Sequence, residues 1–252
     1  MNFRNIPPVV KNLLIINGLF FLASIILLKT QGIDLGNYLG LHYWQSEGFM
    51  PHQLITHMFM HSFWDFGSGE IVFSHLMFNM LGLWMFGSTL EGIWGGKRFL
   101  IFYMISGLVA AIAQLLIIHF RLQLVINELT PDMIQYVYDN GYQLILDHKN
   151  YTDPIVGGFN GLLNSRMVGA SGALYGILVG FGMLFPNTEL MMIFIPIPVK
   201  AKYFIPGIII IDLVLGIGNF SWDPIAHFAH LGGALAGFIL IKMWQKDRGT
   251  FY

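Results

Sequence analysis

The chain has 252 residues, of which 55% are hydrophobic and 11% charged, with a net charge of −1 and no cysteine. A typical soluble domain carries about 25% charged residues, and a water-facing fold of this length cannot hide so much apolar surface; mean hydropathy is +0.63. A soluble enzyme, a disordered chain and a nucleic-acid binder are excluded, as are disulfides, thiolate nucleophiles, Fe–S clusters and Cys-based zinc sites, which leaves a membrane protein with several spans.

A spanning helix needs about 20 mostly apolar residues. Six segments qualify, and they are predicted at residues 10–28, 75–90, 99–120, 168–185, 203–217 and 225–244. The fold class is therefore all-α, a six-helix membrane bundle in one domain, 1–252, with two long loops. No small-residue cleavage pattern follows the first segment, so it reads as a retained helix.

The first loop, 30–74, is rich in His, Gly and aromatic residues. It is too apolar for a flexible linker and is expected to lie at the membrane interface. His57 and His61 are four apart, a spacing that suits a metal on one helix face. No carboxylate stands between them, so the H-E-x-x-H pattern is missing, and hydrogen bonding within the loop is the preferred reading. No metal and no cofactor is expected.

The second segment opens with His75 and carries Asn79 one turn later. The loop 121–167 contains Thr130-Pro131-Asp132, a helix start with a cap, a proline at the first position and an acid in the first turn. Met133, Ile134, Val137, Tyr138, Leu144, Ile145 and Leu146 give that helix an apolar stripe, interrupted by Gly141, and an interfacial helix is expected. The fourth segment opens with Gly169-Ala170-Ser171-Gly172, which places Ser171 roughly one turn, about 5 Å, inside it. The fifth carries Asp212, the one acid well inside a span. It reads either as a hydrogen-bond partner for a neighbouring helix, which is preferred, or as a transporter carboxylate. The sixth carries His227 and His230, three apart and also compatible with a metal, though no Glu accompanies them.

Orientation follows from Lys and Arg. Arg4, Lys11, Lys97, Arg98, Lys200, Lys202, Lys242, Lys246 and Arg248 fall on one side if both termini are cytoplasmic. Only Lys29, Arg121, Lys149 and Arg166 fall on the other, so the second, fourth and sixth segments run inward from the outer face. Their polar residues then gather near that face. With no Arg- and Ser-rich leader, an organelle precursor is disfavoured, and a bacterial inner membrane is expected.

A serine hydroxyl needs a base to become a nucleophile, and His230 is the candidate. His75 and Asn79 share one helix face and can donate toward one point. Ser171 lies in a first turn, where backbone N–H groups lack partners. Together these groups would form an oxyanion hole. Gly169 and Gly172 leave room for a substrate backbone. Taken singly, each residue has a bland reading: the serine as a helix cap, the histidines as interfacial groups, and Gly172, Gly176, Gly180, Gly233 and Gly237 as packing faces.

Gly169-Ala170-Ser171-Gly172, the H-x-x-x-N of His75 and Asn79, and Ala229-His230-Leu231-Gly232-Gly233 with Gly237 resemble the rhomboid intramembrane serine proteases. Phe86-Gly87 through Leu90-Glu91, then Gly96 and Phe99, is similar to that family's junction between the second and third spans. The resemblance covers about 56–240. It implies a Ser171–His230 dyad, an oxyanion hole from His75, Asn79 and the Ser171 N–H, and Tyr175 packed on the catalytic imidazole in place of the carboxylate of a triad. Asp223, seven residues before His230, lies about 10 Å along the helix and is no substitute. His52-Gln53 stands where the family has Trp-Arg, and 63–74 is longer than in compact members. The implied activity is cleavage of transmembrane protein substrates in or near their membrane segments, at bonds exposed by small or helix-breaking residues, with the lipid bilayer as the other partner and no nucleic acid. The alternatives are a non-catalytic rhomboid-like protein that binds client helices, and a small transporter, which should show symmetric halves with discontinuous helices.

Overall fold

A computed structural model describes residues 6–65, 70–192, 195–218 and 225–246. The described chain is mostly helical. It runs α1 (Pro8–Gln31), short α2 (Gly36–Leu39) and α3 (Gln53–Thr56), a hairpin of β1 (Trp64–Asp65) and β2 (Glu70–Ile71), then α4 (Ser74–Gly82), a π turn (Leu83–Gly87) and α5 (Ser88–Trp94). It continues through α6 (Gly96–Ile126), α7 (Pro131–Leu146), α8 (Pro154–Asn164) and α9 (Ser171–Leu184). A second antiparallel hairpin, β3 (Glu189–Met192) and β4 (Ile195–Lys200), leads to α10 (Ala201–Gly218) and α11 (His227–Lys246).

All six apolar segments are helical. Among the described residues, α1, α6 and α10 are by themselves long and apolar enough to cross a membrane, whereas α9 is shorter, with 14 residues. Leu19, Leu124 and Ile217 are among the large apolar side chains that point outward, as expected of a lipid-facing surface and not of one facing water. Arg4, Asp223 and Arg248 lie outside the described residues.

Most boundaries move by a few residues, and two of the shifts bear on the site or the bundle. The third helix extends past Phe120 to Ile126, and the fourth begins at Ser171, not 168. The second shift has a cause in the backbone. Met167 and Leu41 exchange N–H···O bonds of 2.8 Å in both directions, which holds Met167 extended, and Gly169 has φ 129°, outside the helical region. Ser171 is thus the first helical residue and not a turn deep.

The second loop is a pair of helices. Thr130 caps α7 by accepting from the Met133 N–H at 3.3 Å, as its sequence requires. Asp153 caps α8 through the Ile155 and Val156 N–H groups, both at 2.9 Å. The middle of the α7 stripe packs inward: Val137 is buried with Phe159 and Leu163 of α8 and with Tyr43, Leu115 and Leu122. Gly141 lets α8 approach, since a Cβ there would lie 2.2 Å from Asn160 Oδ1. A polar chain from Ser46 through Asn164 and Asn160 to Asn150, with links of 2.8–2.9 Å, ties the pair to the first loop.

The main core lies between α1, α4–α5, α6, α9 and α11 and includes Leu83, Leu90, Phe99, Phe102, Tyr103 and Ile177. Glu91 locks α1 onto it. Its buried carboxylate accepts from the Val9 N–H at 2.9 Å and the Val10 N–H at 2.7 Å, satisfying two of the orphan donors at a helix start. Glu91→Ala should cost about 2 kcal/mol and lower the thermal midpoint of the detergent-solubilised protein. An unchanged midpoint would show that α1 docks without this cap.

Candidate active site

Helices α9 and α11 touch backbone to backbone. A Cβ on Gly233 would lie 1.8 Å from the Gly172 carbonyl oxygen, and one on Gly237 would lie 2.6 Å from that of Gly176. The pairing of 172 with 233 and 176 with 237 means that the two helices run parallel. Ser171 is next to the first contact, and His230 is nearly one turn, about 4.5 Å, before it on the partner helix. The register therefore delivers the hydroxyl and the imidazole to one point. His230 Nε2 and Ser171 Oγ are 2.8 Å apart.

Tyr175, one turn along α9, stacks on the imidazole with ring centroids 4.3 Å apart and planes 11° from parallel. The other ring nitrogen is not left bare. His230 Nδ1 lies 3.2 Å from Asp212 Oδ1 on α10, and His227 Nδ1 bonds the same oxygen. The expectation of a hydrogen bond from Asp212 to a neighbouring helix holds. The expectation of a histidine without a carboxylate does not, because α10 turns its one acid toward α11. A lone acid at membrane depth and a His-x-x-His pair were the signals available; which way α10 faces was not. Asp212, His227 and His230 are also the group of side chains among the described residues that could hold a cation, their ligand atoms lying within 4.8 Å of one another. Here hydrogen bonds join them.

His75 Nδ1 accepts the Ser62 backbone N–H at 3.2 Å. An accepting Nδ1 puts the ring proton on Nε2. That nitrogen and the serine hydroxyl both border Gly169: a Cβ there would lie 2.9 Å from His75 Nε2 and 3.6 Å from Ser171 Oγ. Asn79 is buried and donates one amide proton to the His75 carbonyl at 2.7 Å, with a second amide proton remaining. Gly172 also packs against α6, where a Cβ would lie 2.4 Å from that of Ala110, so its missing side chain serves helix contact as well as open space. Ser171, His230, His75, Asn79, Gly169 and Gly172 all line one cavity of about 720 Å³.

The first loop holds the stretch that leads into Ser171. The His57 carbonyl accepts the Gly169 N–H at 2.9 Å, and Arg166 pairs with Asp34 and Asn37. Gln53, which replaces the family's arginine, is fully buried and bonds the Gly48 and Tyr38 carbonyls and the His42 N–H. His52 reaches the same Tyr38 carbonyl at 2.9 Å. His57 Nδ1 bonds the Gln53 carbonyl at 2.8 Å, a structural use within the loop, and the His61 ring lies edge-on to His75. The expected hydrogen bonding within the loop is found for His57 and not for His61, whose buried ring nitrogens have no such partner among the described residues; the partners of Gln53 and Arg166 depend on tertiary contacts and had no sequence signal.

The Rhomboid domain family model matches residues 48–125 and 133–246. Over 180 residues the chain is 26% identical to "Rhomboid protein 1, mitochondrial" of Saccharomyces cerevisiae, a match that covers 70% of this chain and 40% of that protein. Over 86 residues it is 37% identical to an uncharacterized mitochondrial rhomboid protein of Schizosaccharomyces pombe, covering 32% of this chain and 22% of that one. The chain thus spans less than half the length of each.

Burial pushes the His57 imidazole down to about 4 from the ordinary 6.5, and burial beside His75 pushes His61 down to about 3. Unfolded chain binds these protons more readily than folded, so the stability present above pH 6.5 is lost as pH falls toward 4. Thermal midpoints should drop between pH 7 and pH 5, and His57→Gln should flatten the slope. An identical slope in that variant would contradict a structural role for the neutral imidazole.

Proposed function

The chain belongs to the rhomboid family, and on that premise we propose that it is an intramembrane serine endopeptidase acting on the transmembrane segments of other membrane proteins. The observation that carries this reading is the 2.8 Å contact between Ser171 Oγ and His230 Nε2 inside a cavity that also holds His75 and Asn79.

In the proposed reaction Ser171 Oγ attacks the carbonyl carbon of the scissile peptide, and its proton passes to His230 Nε2. The carbonyl oxygen becomes an oxyanion that meets the Ser171 N–H, His75 Nε2–H and the second Asn79 amide proton. As the C–N bond breaks, His230 returns the proton to the leaving amine. Water then attacks the acyl-enzyme with His230 again as base, which releases the new carboxyl end and restores Ser171. The residues need no cofactor for these steps.

The setting supports the same reading. Helix α9, with 14 residues, is about 21 Å long, shorter than the roughly 30 Å hydrocarbon core. If its lower end reaches the far interface, Ser171 sits below the outer one, where a substrate helix must be locally unwound. Small or helix-breaking residues at the cut site supply that. The Lys and Arg bias puts both termini on the cytoplasmic side and the cavity toward the outer face, in a bacterial inner membrane on our reading. The relatives' names are mitochondrial, and fractionation of the native source decides between the two membranes.

Ser171→Ala and His230→Ala should each abolish cleavage of a transmembrane reporter while the helical circular dichroism and thermal midpoint stay at wild type. The double variant should be no worse than either single, because members of one catalytic unit are not additive. Full cleavage by folded Ser171→Ala would overturn the assignment.

A further inference from the structure

We propose that Asp212 is a positioning residue for this reaction: it holds the ring proton of His230 on Nδ1, so that Nε2 presents a lone pair to Ser171. The inference rests on the protease reading and deepens it, turning a Ser–His pair into a Ser171–His230–Asp212 relay anchored by His227.

The reasoning starts from the ring. An imidazole has two neutral tautomers, and only the one protonated at Nδ1 can accept the serine proton at Nε2. Stacking against Tyr175 fixes the plane of the ring but not its identity within that plane. A half-turn flip about the Cβ–Cγ bond keeps the stack and exchanges the edges presented to Ser171. A directional bond at Nδ1 removes the ambiguity. An ionised carboxylate only accepts, so with Asp212 Oδ1 at 3.2 Å, His230 Nδ1 must donate.

The acceptor is itself held. Asp212 is buried at 4% exposure and His227 at 5%. His227 Nδ1 donates to the same Oδ1, so one oxygen takes two N–H donors from α11. His227 lies at the first position of α11, one turn before His230, and keeps the carboxylate aimed at that edge of the helix. A buried carboxylate without such donors would be costly. The geometry therefore gives Asp212 and His227 a joint task, and no residue elsewhere among the described ones bonds His230 Nδ1.

The test uses the full chain in detergent with a transmembrane reporter. Asp212→Asn, close in shape, should lower kcat by about 100-fold or more, as loss of an orienting carboxylate does elsewhere, and leave KM within about twofold; Asp212→Glu should recover part of the loss. A purely structural role would move the thermal midpoint and not this split. In parallel, ¹⁵N spectra of histidine-labelled protein, with His230 assigned from His230→Gln, should show a protonated Nδ1 and an unprotonated Nε2 in the wild type. That pattern should be lost in Asp212→Ala. Wild-type kcat in Asp212→Asn, or a wild-type His230 protonated on Nε2, overturns the inference. The spectral measurement on the wild type decides the matter even if the variants do not fold. Cleavage that survives Ser171→Ala overturns the protease reading instead, and is distinguishable because the tautomer is read without activity.

Discussion

The backbone contact between α9 and α11 is the constraint on which the site depends. Parallel helices with ordinary side chains lie about 8–10 Å apart. The Gly172–Gly233 and Gly176–Gly237 pairs bring these two closer, and a serine and a histidine on different helices then reach hydrogen-bond distance without long side chains. In lipid there is no water-driven force between apolar helices, so close packing of small residues, with interhelical hydrogen bonds, is a main means of association. The same glycines set both the cohesion of the bundle and the reach of Ser171 to His230.

A second layer aims the groups that the helices bring together. The first loop bonds the extended stretch before Ser171 through Leu41 and the His57 carbonyl, and its Ser62 N–H sets the tautomer of His75. Gln53, buried and fully engaged, ties that loop to itself. Substituting the family's Trp-Arg pair by His52-Gln53 thus leaves a compact loop, held in part by the hydrogen bonds of both side chains. The α7–α8 pair is joined to it through the Ser46–Asn164–Asn160–Asn150 chain. Residues of both loops, among them His57, Ser62, Gly161 and Leu162, line the cavity.

Much of this was legible in the sequence, for identifiable reasons. The six apolar runs all fall on helical stretches, because a long apolar run is a strong and local signal. Thr130-Pro131-Asp132 marks α7, and the same chemistry at Asp153-Pro154 marks α8, inside the stretch expected to be loop. Span direction alone put His75, Ser171 and His230 at one end of the bundle. The β3–β4 hairpin was obscured by Pro196 and Pro198, residues that argue against a strand. Asp212 was visible as an oddity, but its partner depends on how α10 is rotated about its own axis, a quantity set by packing and absent from local sequence. Amphipathicity does not say whether the apolar side of α7 meets lipid or protein; Val137 meets α8, while Met133 on the same stripe stays exposed.

The central claim is that Ser171 is an activated nucleophile and His230 is what activates it. The most direct measurement is covalent labelling of the purified protein with a fluorophosphonate, followed by peptide mapping of the adduct. The account predicts a single adduct on Ser171 that disappears in folded His230→Ala. Absence of any adduct on Ser171 in the folded wild type, or undiminished labelling in His230→Ala, would contradict it.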